Sequence, residues 1–365
     1  MSNKIKIAID ISPTIDGNSI RGVGYYTQQL INSLQQEISS NSEYKNWSID
    51  LISNSKLDIR NYNLVHYPYF DPFKLTLPKK TIIPRVVTVP DLIPRQFKNH
   101  FPVGIKGTIK WIIQKYNLKK TDKIITVSNF SKNIINKILK YPLNKIVVTY
   151  LGADKSFRPL KDSKKLNKIK KKYSLPNKFI LYVGDINWNK NIPNLVKACL
   201  KNKYPLVIVG SAATKKDVPD HPWTKDIRWL QSKSKALKRQ YPNALILTGF
   251  VPDEDLPYIF NLATIYCQPS FAEGFGLPLV QAMQSGTPVV FSQDTCLPEV
   301  MGNAGLSFNP RSISDISFAL KKMWLDKNLR INQSSLGLKQ AKKFSWKYTA
   351  KQTLLVYKNL IFNEK

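Results

Sequence analysis

Short apolar runs alternate with longer, more polar stretches along the whole chain. The runs are rich in Val and Ile, and most end in Gly, Ser, Pro or Asp, the residues that turn a strand toward a helix. The stretches between them carry apolar residues at helical spacing. Twelve strands are predicted, at 4–10, 48–53, 63–68, 85–91, 123–128 and 145–152 in the first half and at 179–184, 205–210, 244–249, 265–270, 288–292 and 305–310 in the second.

This alternation predicts an α/β fold. Nearly unbroken apolar strands between helices are typical of parallel sheets that are covered on both faces. Two such series in succession indicate two Rossmann-like domains, and 365 residues exceed what one hydrophobic core usually supports. Ligands of such sheets bind at the carboxyl ends of the strands, so the loops after the strands are the candidate sites.

The two series divide at a lysine-dense stretch that is poor in apolar residues, 158–178. We expect this stretch to be a solvated helix or a linker between an N-terminal domain at 1–157 and a C-terminal domain at 179–343. The last segment, 344–365, has apolar residues at helical spacing. It is predicted to be a helix that packs back toward the N-terminal domain.

The charge is strongly positive, with 56 Lys and Arg against 24 Asp and Glu, a formal net charge of +32. Such a field attracts nucleic acid, anionic lipid headgroups or phosphorylated substrates. Nucleic-acid sites are typically Arg-rich with aromatic stacking platforms, and no such module is present, so nucleic acid is not expected as a partner. Two interpretations stay open, a lysine-coated solvated surface and an anionic membrane surface.

Cysteine usage and hydropathy predict the location. The three cysteines have no disulfide or metal spacing, as expected in a reducing compartment. No apolar run approaches the roughly 20 residues of a membrane span. We therefore expect a cytoplasmic protein, with peripheral contact to the inner face of the membrane as an alternative.

The segment 105–120, "IKGTIKWIIQKYNLKK", bears on that alternative. It places Ile105, Ile109, Ile112 and Tyr116 on one helix face with lysines around them. A helix that turns this face to the core is the favoured interpretation, and docking on a membrane is the other.

Two glycine-rich turns precede predicted helices. The first, in "DGNSIRGVGYYTQQL" at 16–30, contains Gly22 and Gly24, and the second, "EGFGLP", contains Gly276. Glycines at a helix start let backbone N–H groups approach a phosphate, and the helix dipole favours its negative charge. Together the turns predict a site for an anionic ligand such as a diphosphate.

Two charged side chains lie beside the predicted strand ends. Glu273 precedes the second glycine turn, and because it would repel phosphate, we expect it to accept hydrogen bonds from sugar hydroxyls next to the phosphate. Lys190, in "VGDINWNKN", could neutralise the charge that builds on a departing phosphate. A single lysine is ordinarily solvated, so this role depends on its neighbours.

A spaced set of motifs in the second half is "VGDINWNKN", "LTGFVPDEDLPYIFNLA", "PSFAEGFGLPLVQAMQSGTPVV" and "LPEVMGNAGLSFNP". It resembles the retaining, GT-B-fold glycosyltransferases of family 4, and the first half is similar to them through "RGVGYYTQQL", "VTVPDLIP", "ITVSNFSKNI" and "TYLGADKSFRP". The resemblance implies two Rossmann-like domains facing across a cleft that holds a nucleotide-sugar. It also implies surface-polysaccharide synthesis of the mannosyl or rhamnosyl type.

The resemblance also implies roles for individual residues. Glu273, Lys190 and Asp91 would form the catalytic set. The residues implied for donor binding are Gly22, Gly24, Val251, Phe275, Gly276, Leu277 and Gln281, with Val251 beside the base and Gln281 beside the ribose. For the acceptor, His66 and Ser128 are the candidates, and a structural role for His66 is an equal alternative.

Three positions depart from the family pattern. Gln281 stands where a second acid is usual, Pro90 where many relatives carry His, and Asn189 where a basic residue commonly precedes the lysine. Gln281 lacks the charge that strengthens a hydrogen bond to ribose, by about 1 kcal/mol per bond. We therefore predict weakened nucleotide binding.

The resemblance thus predicts a retaining hexosyltransferase that uses no metal and no resident cofactor. Its donor would be a GDP-, UDP- or dTDP-linked sugar and its acceptor a glycan or a lipid-linked glycan. A GT-B-fold protein that has lost catalysis and only binds a glycan or a partner is the alternative.

Overall fold

The structure is a computed structural model that describes residues 4–15, 22–53, 59–79 and 82–362. All twelve predicted strands are present in the predicted order. Their bounds are β1 (Ile5–Asp10), β2 (Trp47–Ile52), β3 (Leu64–Tyr67), β4 (Arg85–Thr88), β5 (Lys123–Thr126), β6 (Ile146–Val148), β7 (Ile180–Val183), β8 (Leu206–Val209), β9 (Leu245–Gly249), β10 (Ile265–Gln268), β11 (Val289–Ser292) and β12 (Leu306–Phe308).

Helices connect these strands, as the alternating pattern predicts. In the described ranges they are α1 (Ser12–Ile15), α2 (Gly22–Ser40), α3 (Ile93–Gln96), α4 (Ile105–Lys119), α5 (Asn129–Leu139), α6 (Ser163–Lys172), α7 (Ile192–Lys201), α8 (Lys225–Gln240), α9 (Leu256–Leu262), α10 (Leu277–Gln284), α11 (Leu297–Met301), α12 (Ile313–Leu325), α13 (Lys327–Ala341) and α14 (Trp346–Ile361). None of them is long and apolar enough to cross a bilayer.

The chain divides into two compact units, one of Met1–Gly152 with Ser345–Lys365 and one of Ala153–Phe344. The stretch 158–178, predicted as a solvated helix or a linker, lies in the second unit and contains α6, most of whose residues are exposed. Packing attaches it to that unit: Ile169 of α6 is buried, and the Lys172 ammonium bonds the Asp255 carboxylate at 2.5 Å. The backbone N–H of Leu160 also donates to the Asn261 side chain at 2.8 Å.

The first unit contains one parallel sheet in the order β2-β1-β3-β4-β5-β6. The C-terminal helix α14 packs on α2 in this unit. There the Thr349 hydroxyl donates to the Tyr150 carbonyl at 2.6 Å, and the rings of Tyr26 and Trp346 lie 6.0 Å apart. Gly152 permits the close approach, because a Cβ there would lie 2.3 Å from the backbone nitrogen of Trp346.

Helix α4 does not turn its isoleucines to the core, so the favoured interpretation of 105–120 is wrong. Its inward side consists of Trp111, Gln114, Asn117 and Leu118, all buried. The Gln114 amide donates to the Thr76 hydroxyl at 2.7 Å and the Asn117 amide to the Leu77 carbonyl at 3.1 Å. Because these amides bind the neighbouring loop, the isoleucines lie on the outward side.

The second unit contains a parallel sheet in the order β12-β11-β10-β7-β8-β9. The chain runs outward from β7 to β9 and then returns to lay β10 on the other side of β7. The strand order therefore reverses between β7 and β10. In open α/β sheets a ligand site lies at this switch point, beyond the carboxyl ends of the strands.

Candidate active site

The loops after β7 and β10 meet at the switch point of the second unit. Asn189, which is buried, joins them: its amide donates to the Ala272 carbonyl at 2.9 Å. In return, the Phe271 backbone N–H donates to the Asn189 carbonyl at 2.8 Å. These bonds fix the loop that carries Lys190 against the loop that carries Glu273.

Lys190 and Glu273 form a bidentate ion pair at this junction. The Lys190 Nζ lies 2.8 Å from Oε1 and 2.7 Å from Oε2 of Glu273. Oε1 also accepts from the Gln268 amide at 2.8 Å and from the Ser270 hydroxyl at 2.7 Å. Only 9% of the Glu273 side chain and 20% of the Lys190 side chain are exposed. The carboxylate is therefore held in one orientation in a nearly dry environment.

The glycine turn after Glu273 leads directly into α10. Gly276 has a φ of 87°, in the left-handed region that favours glycine, and no side chain caps the helix start that follows it. Phe275 is buried, with its ring edge-on to Phe344 at 5.6 Å, and Leu277 is the first helical residue. The turn thus has the form expected of a phosphate cradle at a helix N-terminus.

The two remaining donor candidates of the second unit lie on neighbouring elements. Gln281 is on α10, one turn after Leu277, and is buried. Val251 is also buried and follows β9, where Gly249 has a φ of 73°. A Cβ on Gly249 would lie 2.6 Å from the Thr214 hydroxyl, so this loop requires glycine.

Sequence reasoning missed several residues that shape this site. Asn189 was singled out in the sequence only because a basic residue is usual at its position. Gln268 and Ser270 were not singled out at all. Asn191, in the left-handed region with a φ of 57°, donates its amide to the carbonyls of Pro269 at 2.9 Å and Pro310 at 2.8 Å. The asparagines in "NWNKN", in the loop after a strand, were the available signal, because Asn tolerates this backbone and bonds main-chain groups.

Two stacked aromatic side chains, Trp188 and Phe271, each precede a member of the ion pair by two residues. Trp188, two residues before Lys190, stacks on Phe271 with 5.1 Å between ring centroids and 30° between planes. The Arg311 guanidinium lies 5.6 Å from the Phe271 ring centroid and pairs with Asp294. Trp188 and Phe271 are both half-buried.

The first unit carries the remaining donor-binding and catalytic candidates, Gly22, Gly24 and Asp91. Gly22 and Gly24 lie in the first turn of α2, and a Cβ on Gly22 would meet no atom within 4 Å. Residues 16–21 of the same loop lie outside the described ranges. Asp91 follows β4, and its Oδ1 accepts from the Ile93 backbone N–H at 3.0 Å. The roles that the resemblance assigns to these residues stay predictions.

The acceptor candidates make internal contacts. His66 is fully buried, with Nδ1 2.6 Å from the Tyr357 hydroxyl and Nε2 2.9 Å from the Thr88 hydroxyl. Burial lowers the pKa of His66 to about 3, so the ring is neutral. Such contacts are expected if His66 has a structural role, which is the alternative to acceptor binding. Ser128, also buried, caps α5 by accepting from the Ser131 backbone N–H at 3.0 Å.

Within the described ranges, no group of three or more His, Cys, Asp or Glu residues lies together so as to hold a metal ion. The chemistry that the site visibly offers is an oriented carboxylate, an ammonium group and an uncapped helix start. This combination suits a ligand with both hydroxyl groups and phosphate groups.

Comparisons with known proteins bear directly on this combination. The family model for glycosyl transferases group 1 matches residues 163–340, and the model for glycosyltransferase family 4 matches residues 39–157. The chain is 35% identical over 250 residues to the O-antigen chain mannosyltransferase B of Escherichia coli, which is 67% of this chain and 62% of that protein. It is 28% identical over 304 residues to the serotype-specific mannosyltransferase WbdA of E. coli, which is 81% of this chain and 36% of that protein. The matched part is thus less than two thirds of either relative.

Solved structures show the same fold. Sucrose-phosphate synthase from Thermosynechococcus elongatus superposes with a TM-score of 0.73 at 18% identity, covering 99% of this chain and all of that one. HepE of Anabaena in complex with UDP-glucose gives a TM-score of 0.73 at 15% identity, covering 98% of this chain and all of that one. The predicted architecture of two Rossmann-like sheets is confirmed, and the chain belongs to the group 1 and family 4 glycosyltransferases, with their GT-B fold.

Proposed function

We propose that this protein transfers a mannosyl or related hexosyl group from a nucleotide-sugar to a glycan or lipid-linked glycan during cell-surface polysaccharide synthesis. The observation that carries the proposal is the Lys190–Glu273 pair at the switch point, beside the uncapped start of α10. The names of the E. coli relatives, both mannosyltransferases, support the sugar class.

Glu273 is suited to select and orient the sugar. Its two oxygens already accept four hydrogen bonds, which hold the carboxylate plane in place before a ligand arrives. A sugar hydroxyl that donates to this carboxylate makes a charge-assisted bond, which is about twice as strong as a neutral one. The stacked rings of Trp188 and Phe271 would offer apolar surface to the sugar.

Lys190 is suited to the donor phosphates. The Lys190 side chain is more exposed than that of Glu273, so an anion that approaches from solvent would meet the positive member of the pair first. When the bond between the sugar C1 and the phosphate oxygen breaks, negative charge grows on the phosphate. A nearby ammonium and the positive end of α10 would stabilise that charge.

We propose that transfer proceeds with retention and without a metal or resident cofactor. The acceptor oxygen would bond C1 on the face that the nucleotide leaves, and the departing phosphate would take the acceptor's proton. Lys190 and the helix start would then supply the positive charge at the leaving group. We place the reaction in the cytoplasm, which agrees with the three buried, unbonded cysteines.

The test is a screen of GDP-, UDP- and dTDP-linked sugars by thermal shift, followed by product analysis with the hits. We expect one donor class to stabilise the protein and to be turned over in the presence of EDTA, with the anomeric configuration retained in the product. Lys190→Ala should lower the turnover number by about 100- to 1000-fold, because it removes stabilisation of the developing charge.

Lys172→Ala is the matched control, because Lys172 also pairs with a nearly enclosed carboxylate of the second unit, that of Asp255. It should retain wild-type turnover. If no nucleotide-sugar shifts the melting temperature, or if none is hydrolysed or transferred, the alternative of a non-catalytic binding protein replaces this proposal. Lys190→Ala with wild-type turnover would contradict the role of the lysine.

A further inference from the structure

Helix α4 exposes an unusually apolar surface. Five large apolar side chains point outward, and we call them the α4 apolar face: Ile105, Ile109, Ile112, Ile113 and Tyr116, which are 82%, 52%, 62%, 41% and 55% exposed. Their spacing is i, i+4, i+7, i+8 and i+11, which places them on one side of an α-helix. A continuous exposed strip of this kind marks an interaction surface, because monomeric soluble proteins rarely expose large contiguous apolar patches.

The core side of the same helix explains why this strip points outward. Gln114 and Asn117 are buried and bind the loop 71–77 through their amides. Trp111 packs under the Arg95 guanidinium, which lies 4.7 Å from its ring centroid. Polar side chains thus fix the inward side, so a rotation that buried the isoleucines would break these bonds. The outward direction of the isoleucines is therefore a built feature of the fold.

Lysines border the α4 apolar face on both sides. On the helical projection, Lys106 and Lys110 flank one edge, and Lys115 and Lys119 flank the other. The chain has no Asp or Glu between Asp91 and Asp122, so nothing acidic in this segment offsets their charge. An apolar strip with lysines on both edges is the pattern of a helix that lies in the plane of an anionic bilayer surface.

We propose that the α4 apolar face docks this protein on a bilayer that contains anionic lipids. The isoleucines would enter the boundary between headgroups and acyl chains, and the lysines would contact lipid phosphates. This docking goes beyond sugar transfer and does not depend on it, because α4 belongs to the first unit whereas Lys190 and Glu273 belong to the second.

Charge argues for a bilayer over the other occupants. A second copy of the chain would bring lysine edges against lysine edges, with no acid of this segment to offset them. A nucleic acid would use the lysines but would leave the isoleucines without a partner. An anionic bilayer satisfies both the apolar strip and the lysines.

The experiment is co-sedimentation of the full chain with phosphatidylcholine vesicles, with and without phosphatidylglycerol. Wild-type protein should bind the phosphatidylglycerol vesicles, and binding should fall as salt rises, because salt screens the lysines. The double variant Ile109→Ser and Ile112→Ser should bind at least about tenfold more weakly, since it removes apolar area that would enter the bilayer.

The matched control is Phe318→Ser with Ile331→Ser, which removes two apolar side chains of the second unit that are 70% and 59% exposed. It should bind vesicles as wild type does. All variants alter exposed side chains, and circular dichroism and thermal melting check that they fold. Equal binding by the α4 variant, equal loss in the control, or no wild-type binding to phosphatidylglycerol vesicles would overturn the proposal. The proposal would also be overturned if the wild type formed a dimer, the α4 variant were monomeric, and the wild type did not bind vesicles.

Discussion

The buried histidine of the first unit makes stability depend on pH in a calculable way. His66 lies between the hydroxyls of Tyr357 and Thr88, and burial lowers its pKa from 6.5 to about 3. In the unfolded chain the imidazole takes up a proton near its ordinary pKa, whereas in the folded chain it stays neutral. The unfolded state therefore binds more protons below about pH 6.5, and the folded state loses stability as the pH falls.

The magnitude follows from the two pKa values. Each unit of pH within the window between them changes the free energy of unfolding by about 1.4 kcal/mol. Between about pH 7.5 and about pH 5, the histidine alone should therefore lower the free energy of unfolding by about 2 kcal/mol. His66→Gln should lack this contribution, although it should be less stable than wild type at neutral pH by about 1–3 kcal/mol, because a buried hydroxyl loses its partner.

The assay is urea unfolding at both pH values, followed by hydrogen exchange of peptides from β3 and β4, which report on the first unit. The difference in unfolding free energy between the two pH values should be smaller in His66→Gln than in wild type by about 2 kcal/mol. His221→Gln, which removes an exposed histidine, is the control and should keep the wild-type difference. Equal pH dependence in wild type and His66→Gln would show that the ring is not held neutral.

Three further predictions concern the glycosyltransferase site and the packing of the first unit. Gln281→Glu should tighten binding of a nucleoside diphosphate by about five- to tenfold in calorimetry, because a carboxylate bonds ribose hydroxyls more strongly by about 1 kcal/mol. Unchanged affinity would refute the ribose assignment. Gly276→Ala should lower the melting temperature, since a left-handed backbone costs an alanine about 1–2 kcal/mol. Gly22→Ala, with no atom within 4 Å of the new Cβ, should leave the melting temperature nearly unchanged. Gly152→Ala should destabilise the first unit by about 1–3 kcal/mol, because its Cβ would lie 2.3 Å from the backbone nitrogen of Trp346. Wild-type hydrogen-exchange protection of α14 in that variant would contradict this close contact.

The sheets were predictable because their signal is local. Each strand is an apolar run between turn residues, so its position can be seen without knowledge of its partners. That Lys190 and Glu273 lie near each other was predictable, because both follow strands whose carboxyl ends lie at one edge of a sheet. Their direct ion pair was not predicted, since the two residues were assigned to different parts of the ligand.

The contacts that shape the site in detail have no local signal. Asn189 bonds the carbonyl of Ala272, and His66 bonds the hydroxyl of Tyr357 across a separation of 291 residues. Such contacts depend on the packed fold and leave no periodic pattern. The α4 prediction was wrong because it assumed that the apolar side of a helix is its buried side. Here, the buried amides of Gln114 and Asn117, which donate hydrogen bonds to the loop 71–77, take that place.

The first unit is discontinuous in sequence, and this has a consequence for synthesis. Tyr357 of α14 supplies the partner of His66, yet residues 153–344 of the other unit are made between them. A nascent chain can therefore assemble its second unit before its first one has received its last helix. The first unit therefore cannot complete its packing before the second has been synthesised, although N-terminal domains usually finish folding first. Until α14 leaves the ribosome, the side of α2 that packs against it lacks that cover.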